Sequence, residues 1–326
     1  MSEKNKKCIL ILPYFGKFNN YFELFLKSCA LNPGYNWLIF TDCKDEYNYP
    51  KNVCVVKMTL EELHKRANEK LGFEVSLDAP YKLCDYKPAY GFLFEEYIKG
   101  YEYWGNCDCD LLFGNLEKIL TPLLNKGYEK LFAAGHLTIY KNSPENNRRF
   151  MKTINGRLYY KEAFQTNKIY VFDEDYQKQL NPKGGNIQDI FLEQKCKICT
   201  QDISMNISGM CGRFCRAYYD FNQRTFIREE YVPKRYYWYN GNVYVFKWNK
   251  KKKTIEREEY LYIHLQMRKR KVCKNVKDAE CVQILPDRFV KASKCPHNKR
   301  DMKMWNIKFT YGYWFNYIRK KIEKYI

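Results

Sequence analysis

The chain lacks both a glycine-built phosphate cradle and an apolar run long enough to cross a membrane. Neither a Walker A pattern nor a Gly-x-Gly-x-x-Gly occurs, which removes the two commonest glycine-rich nucleotide motifs. No apolar stretch approaches the ~20 residues that a bilayer-spanning helix needs. Residues 1–7 are polar and the apolar run that follows, 8–13, is too short for a signal region, so no secretory leader is expected. There is no internal repeat, and the only low-complexity stretch is the lysine run 250–253, read as a loop tip. Without a leader, the 14 cysteines do not read as a secreted disulfide framework. They are scattered through strand-like and helix-like segments of a chain large enough for its own core. They are therefore expected to be reduced, buried and apolar in character, in a cytoplasmic protein.

What is present is a chain of 326 residues, 45% of them apolar, enough for one large α/β domain with an appendage. The 30 Tyr and 21 Phe suit either a core or the aromatic faces of a carbohydrate site. The net charge of +20 is uneven: residues 231–326 carry 25 Lys and Arg against 8 Asp and Glu, a net +17. Such asymmetry points to an anionic partner, whether nucleic acid, phosphates or an acidic membrane surface, or to a generally basic solvated surface. No recognised nucleic-acid motif accompanies the charge, so no nucleic-acid partner is expected.

Along the first half, strand and helix patterns alternate. Residues 8–12 read as a buried strand closed by Pro13, and 21–30 as a helix with Phe22, Phe25, Leu26 and Cys29 on one face. Residues 37–40 read as a second strand ending at Thr41-Asp42. Thr59-Leu-Glu-Glu62 is a capping box whose helix stops at Gly72. Helices are expected over 88–98 and 116–124, and a strand over 131–140. This order predicts an α/β fold, a Rossmann-like, mostly parallel sheet with helices on both faces. Ligands then bind beyond the carboxyl ends of the strands, which places 13–16, Asp42 and 108–110 on one rim. Beyond 150 the pattern loosens. Asn240-Gly241 between two aromatic runs predicts a β-hairpin over 236–248, residues 260–265 read as a strand, and 311–326 as a basic aromatic helix.

Asp108 and Asp110, separated by one residue at a strand end, can chelate one ion jointly. Carboxylate oxygens suit Mg²⁺ or Mn²⁺, which bridges to substrate phosphates. An Asp-x-Asp also arises by chance in loops; here it lies in Trp104-Gly-Asn-Cys-Asp-Cys-Asp-Leu-Leu-Phe-Gly114, between an aromatic strand and an apolar segment.

Around this motif the sequence resembles the GT-A class of nucleotide-sugar glycosyltransferases, and more narrowly bacterial enzymes of capsule and lipopolysaccharide loci. The resemblance rests on Ile-Leu-Pro-Tyr-Phe-Gly at 11–16, Thr41-Asp42, Tyr-Lys-Leu-Cys-Asp-Tyr-Lys-Pro at 81–88, and Asp108 to Asp110. It continues through Gly135-His136 with Tyr140-Lys-Asn142, and ends at Tyr262-Ile-His264-Leu-Gln-Met-Arg268. It covers about residues 8–270. It implies a GT-A-like domain over 1–270, with a nucleotide-binding half to about 142 and an acceptor half beyond, and leaves 271–326 as a basic extension. It also implies a nucleotide-sugar donor, read as a UDP-sugar, a glycan or lipid-linked acceptor, and a divalent ion on Asp108 and Asp110. His264 is implied as a third metal ligand, a lone strand histidine being otherwise a core residue.

Pro13, Tyr14, Phe15 and Gly16 can let a base or ribose approach the backbone, or simply end a strand. Asp42 can accept from a base or ribose, or act as a turn residue. Lys82, Asp85 and Lys87 form a charged cluster read as donor-sugar or phosphate contacts, against plain surface charge. Arg268, in the basic run 268–271, can hold the diphosphate, and His136 is assigned to the acceptor or donor-sugar pocket. Asp189, before a helix, is the candidate base, with Asp173, Glu174 and Asp175 competing; helix-start acids are also ordinary caps. Metal-dependent phosphoryl or nucleotidyl transfer would also use paired aspartates, usually with further carboxylates nearby. Cys196, Cys199, Cys211 and Cys215 have a spacing compatible with structural zinc.

Overall fold

The computed structural model of the protein describes residues 6–175, 184–208, 214–267 and 269–303. Strand β1 (Lys6–Pro13) sends Cys8, Leu10 and Leu12 into one apolar layer and Ile9 and Ile11 into another. Side chains alternate across a strand, so this continuous apolar run is a strand buried on both faces. β2 (Asn36–Thr41) and β3 (Val53–Lys57) extend the sheet on one side of β1, and β4 (Tyr101–Cys107) on the other, all parallel. Helix α1 (Phe22–Ala30) packs Phe22, Phe25, Leu26 and Cys29 into the first layer. Helix α2 (Leu60–Leu71) packs Leu63 and Ala67 into the second, opening on the Thr59–Glu62 capping box and closing on left-handed Gly72.

Parallel order stops there. β5 (Leu111–Phe113) leaves for another sheet. The single strand expected over 131–140 is two, β6 (Lys130–Leu131) and β7 (Leu137–Lys141). So short a connection permits only an antiparallel return, and β7 runs antiparallel to both β6 and β4. With β8 (Ile198–Cys199) the sheet has seven strands in the order β3-β2-β1-β4-β7-β6-β8. Downstream come β9 (Ser204–Asn206), β10 (Ala217–Asp220) and β11 (Thr225–Arg228), then β12 (Lys234–Tyr239), β13 (Asn242–Asn249) and β14 (Thr254–Tyr260). β15 (Tyr262–His264), β16 (Lys271–Val272), β17 (Cys281–Ile284) and β18 (Arg288–Lys291) follow. β10 and β11 pair antiparallel with each other, a six-stranded sheet has the order β14-β13-β12-β17-β18-β16, and a three-stranded one β5-β15-β9. The expected hairpin is β12–β13, turning through Asn240 and Gly241 at φ 47° and 71°.

The mostly parallel, helix-flanked sheet is thus not the architecture. The protein is mixed, with several sheets rich in antiparallel pairings; short returns and hairpins replace the helical crossovers that parallel pairing requires. The helices shrink as well. Residues 116–124 split into Leu116–Ile119 and Thr121–Leu124, because Pro122 cannot continue a helical hydrogen-bond ladder. In place of a helix over 88–98, short turns run from Pro80 to Leu93. There a Cβ on Gly91 would fall 2.1 Å from the Trp104 ring, so the backbone itself packs on the indole.

A third core joins the sheets, with Leu112 and Met205 packed among Trp238, Val243, Val245, Ile263 and Ile284. Trp238 Nε1 donates to the Phe113 carbonyl at 2.8 Å. Because β17 pairs with β12, residues 281–284 are integral to the six-stranded sheet. Cys8, Cys29, Cys43, Cys107 and Cys109 are buried free thiols. No helix of the described residues is long and apolar enough to cross a membrane. The helix expected over 311–326 lies outside the described residues, as does Cys211 of the zinc reading.

Candidate metal centre

The chain turns at 108–110 between β4 and β5. His264 on β15 lies opposite Leu111 of β5 on one side and Asn206 of β9 on the other. The Leu265 amide donates to the Asp110 carbonyl at 3.1 Å, locking that register. His264 Nε2 consequently lies 3.4 Å from Asp110 Oδ1 and 4.0 Å from Asp108 Oδ2. One ligand atom from each of the three residues lies within 4.8 Å of the other two, the one such group of His, Cys, Asp or Glu among the described residues.

Each member is held through its remaining polar atom. Asp108 Oδ1 pairs with Lys87 Nζ at 2.9 Å. Asp110 Oδ2 accepts the Met267 amide. His264 Nδ1 meets Asn206 Oδ1 at 2.9 Å. The Asn206 amide is oriented by its own Nδ2, which donates to the Ala217 carbonyl at 3.2 Å. Since Asn206 Oδ1 can only accept, His264 carries its proton on Nδ1 and presents the Nε2 lone pair inward. Asp110 Oδ1 is buried with no hydrogen bond, an arrangement that is costly for a carboxylate unless a cation compensates it. Two carboxylate oxygens and one imidazole, each oriented from outside, fit a divalent cation such as Mn²⁺ or Mg²⁺.

The two carboxylates favour positive charge at the centre, whether a proton on the imidazole or a cation in its place. Burial pulls the His264 imidazole down, but the Asp110 and then the Asp108 carboxylates outweigh it and hold its pKa above the ordinary value. Burial pushes Asp110 up, and His264 with the Met267 amide brings it below the usual carboxylate value. Gln266, which donates to Asn206 Oδ1 at 3.0 Å, and Met267, whose amide meets Asp110, both have left-handed backbones at φ 57° and 47°. Such conformations are uncommon for side-chain-bearing residues and concentrate at functional sites.

A second acidic group adjoins the first. Lys87 Nζ, besides meeting Asp108, donates to the Gly135 carbonyl at 2.9 Å and lies 3.5 Å from Asp173 Oδ2. The Gly135 amide donates to Glu174 Oε2 at 3.1 Å, and a Cβ on Gly135 would fall 2.2 Å from Asp173 Oδ2. Only glycine lets the two acids close on the backbone here. Burial pushes both Asp173 and Glu174 up. The segment that delivers them is clamped by Asp85, whose carboxylate accepts the amides of Tyr170 and Phe172, each at 2.9 Å. Val171 between them is forced to φ 63°, an outlier for a β-branched residue. Lys82 completes the clamp, donating to Asp85 at 2.7 Å and to the carbonyls of Ala163 and Lys168 at 2.7 and 2.8 Å.

These contacts reassign several residues. Lys82 and Asp85 are buried and satisfied by one another and by backbone, and they position the acidic segment. Lys87 supports Asp108 and Asp173. Among the described residues, Asp189 is engaged away from the triad: Oδ2 caps its own helix by accepting the Asn186 amide at 3.0 Å, and Oδ1 pairs with Arg224 at 2.6 Å. Asp175 is engaged by the same Arg224 and by Asn186. Of the competing acids, Asp173 and Glu174 are the ones beside the centre.

His136 joins it as well. Asp108 donates its amide to the His136 carbonyl at 3.1 Å, and the two histidine rings lie 4.4 Å apart. Burial, then His264 and Lys87, hold His136 well below its usual pKa, so it is neutral. Its Nδ1 meets Tyr262 Oη at 2.9 Å, while Nε2 is buried without a hydrogen bond.

The loop after β1 forms the neighbouring wall. Pro13 ends the strand, Phe15 is buried, and Gly16 at φ 96° donates its amide to Asp42 Oδ1 at 2.7 Å. Asp42 thus holds the turn. Tyr14 is half-buried, stacked on Phe18 at 4.7 Å, and Asn19 Nδ2 ties the loop to the Cys109 carbonyl at 3.3 Å. Arg268 lies outside the described residues. An open cavity of about 640 Å³ lined by Arg66, Lys70, Glu95, Glu96, Lys99 and Arg148 contains none of the triad, and Arg66, Lys70 and Arg148 are paired with its glutamates.

Fold and site together define a mixed α/β protein with a two-carboxylate, one-histidine centre at its strand ends. The chain belongs to the DUF6625 family, a family of unknown function, which it matches over residues 10–293. No curated protein matches it.

Proposed function

We propose that the protein is a metal-dependent glycosyltransferase that moves a sugar from a nucleotide-sugar, read as a UDP-sugar, to a glycan or lipid-linked acceptor in surface polysaccharide synthesis. The observation that carries this reading is the convergence of Asp108, Asp110 and His264, each anchored by an outer contact. A bound Mn²⁺ or Mg²⁺ would offset the charge that develops on a diphosphate leaving group. The chain's own part is to present three ligand atoms, two from the 108–110 turn and one from β15, and to line the approach with the 14–16 turn. The motif resemblance over about residues 8–270 supports a sugar nucleotide as the diphosphate. The reading places the enzyme in the cytoplasm, peripheral to the membrane where a lipid-linked acceptor is presented, with no nucleic-acid partner.

Asp110→Ala is expected to abolish Mn²⁺-dependent binding of UDP in calorimetry while far-UV circular dichroism is unchanged. UDP binding that is equal with and without Mn²⁺, or equal in the variant, overturns the assignment. One observation favours a second reading: Asp173 and Glu174 supply the further carboxylates that phosphoryl or nucleotidyl transfer uses. The products separate the two, since sugar transfer or hydrolysis releases UDP, transfer of the sugar phosphate releases UMP, and nucleotidyl transfer leaves UMP on the acceptor and releases a sugar phosphate or pyrophosphate.

A further inference from the structure

Lys87 holds a place that chemistry usually gives to a metal. Its ammonium sits among three oxygens, Asp108 Oδ1 at 2.9 Å, the Gly135 carbonyl at 2.9 Å and Asp173 Oδ2 at 3.5 Å. Asp108 therefore bridges two cation positions: Oδ1 faces Lys87, while Oδ2 faces His264 and the triad. Glu174 closes the same pocket, fixed to the Gly135 amide at 3.1 Å. The Gly135 carbonyl is itself oriented by Asn106, whose Nδ2 donates to it at 2.7 Å. A carboxylate shared between two neighbouring cation positions is the layout of two-metal centres, in which both ions clamp the oxygens of one displacement. Here the second position is filled by a side chain.

We propose that Lys87 is a built-in second cation, so that this centre takes one divalent ion where the same carboxylates without the lysine would take two. The inference deepens the metal-dependent reading above and rests on it. The physical argument is charge. Asp108, Asp110, Asp173 and Glu174 lie together, and an ionised Asp173 at this buried place needs a cation beside it, the position that Lys87 occupies. A fixed ammonium needs no external ion, and its strict place beside Asp108 turns that carboxylate toward the triad.

The test is Mn²⁺ binding to the full chain, counted by electron paramagnetic resonance and calorimetry, with no substrate present. Wild type should bind one Mn²⁺, and Lys87→Met should bind two. Lys87→Arg should return to one, because a guanidinium keeps the charge. Lys87→Met with Asp173→Asn should also return to one, because the second position then loses a ligand. Should Lys87→Met be unstable without metal, Mn²⁺ is expected to raise its melting temperature more than it raises that of wild type. Two Mn²⁺ on wild type, or one on both wild type and Lys87→Met, overturns the inference while leaving the triad assignment standing. No Mn²⁺ on wild type overturns the metal-dependent reading and this inference with it.

Discussion

Asn206 and His264 show how much the centre depends on atoms that would not touch an ion. The Asn206 carboxamide fixes the imidazole tautomer through a 2.9 Å contact to Nδ1. In Asn206→Ala that partner is lost, and Mn²⁺ affinity should fall by roughly 10–100-fold, the usual effect of removing a metal's outer support. An unchanged Mn²⁺ titration for the variant would show that the ring is held by packing alone. At the same scale, the Asp-x-Asp pair was legible because carboxylates at a strand end are a chemical signature. Asn206 was not legible, since nothing in Ser-Met-Asn at 204–206 announces a histidine across a strand pair. Lys87 was legible as a charge near the site but not as a partner of two carboxylates, because that requires Gly135 and Asp173 beside it.

Among the elements, the segment that ends in Asp173 and Glu174 is held by the Lys82–Asp85 pair rather than by a helix or a sheet. Both side chains are buried. Asp85→Asn leaves the Lys82 charge uncompensated and removes an acceptor from the amides of Tyr170 or Phe172, which typically costs about 3–5 kcal/mol when one member of a buried pair is lost. Urea unfolding should show that loss, and the relaxed Val171 backbone should withdraw the acids from Gly135. A loss below about 1 kcal/mol would mean that the segment is held elsewhere. The eight-residue motif at 81–88 is dense in charge, and Lys82 and Asp85 spend theirs on one another and on the backbone. The helix over 88–98 failed for a related reason: its periodicity is real, but the backbone at Gly91 is needed against Trp104, and packing overrides propensity.

For the molecule as a whole, the +20 charge is a long-range property that does not depend on any one contact. The full chain is expected to co-sediment with vesicles containing anionic lipid and not with neutral ones, since each basic residue near an acidic surface contributes about 1 kcal/mol. Binding should weaken sharply between low and high salt, because surface charges are screened. Retention on neutral vesicles, or salt-independent binding, would remove the membrane from its list of partners.

The sequence by itself determined the local chemistry: the doubly buried β1 strand, the Thr59 capping box, the Asn240-Gly241 turn and the acidic pair at 108–110. All of these are read from residues a few positions apart, where spacing and side-chain type dictate conformation. Tertiary structure alone decided the direction of β7 against β4, the mixed sheets in place of a parallel one, and the arrival of His264, Asn206 and Asp173 at the Asp108 turn. Strand pairing joins residues distant in sequence through backbone groups that every residue carries, so the partners leave no mark in side-chain pattern until the chain has folded.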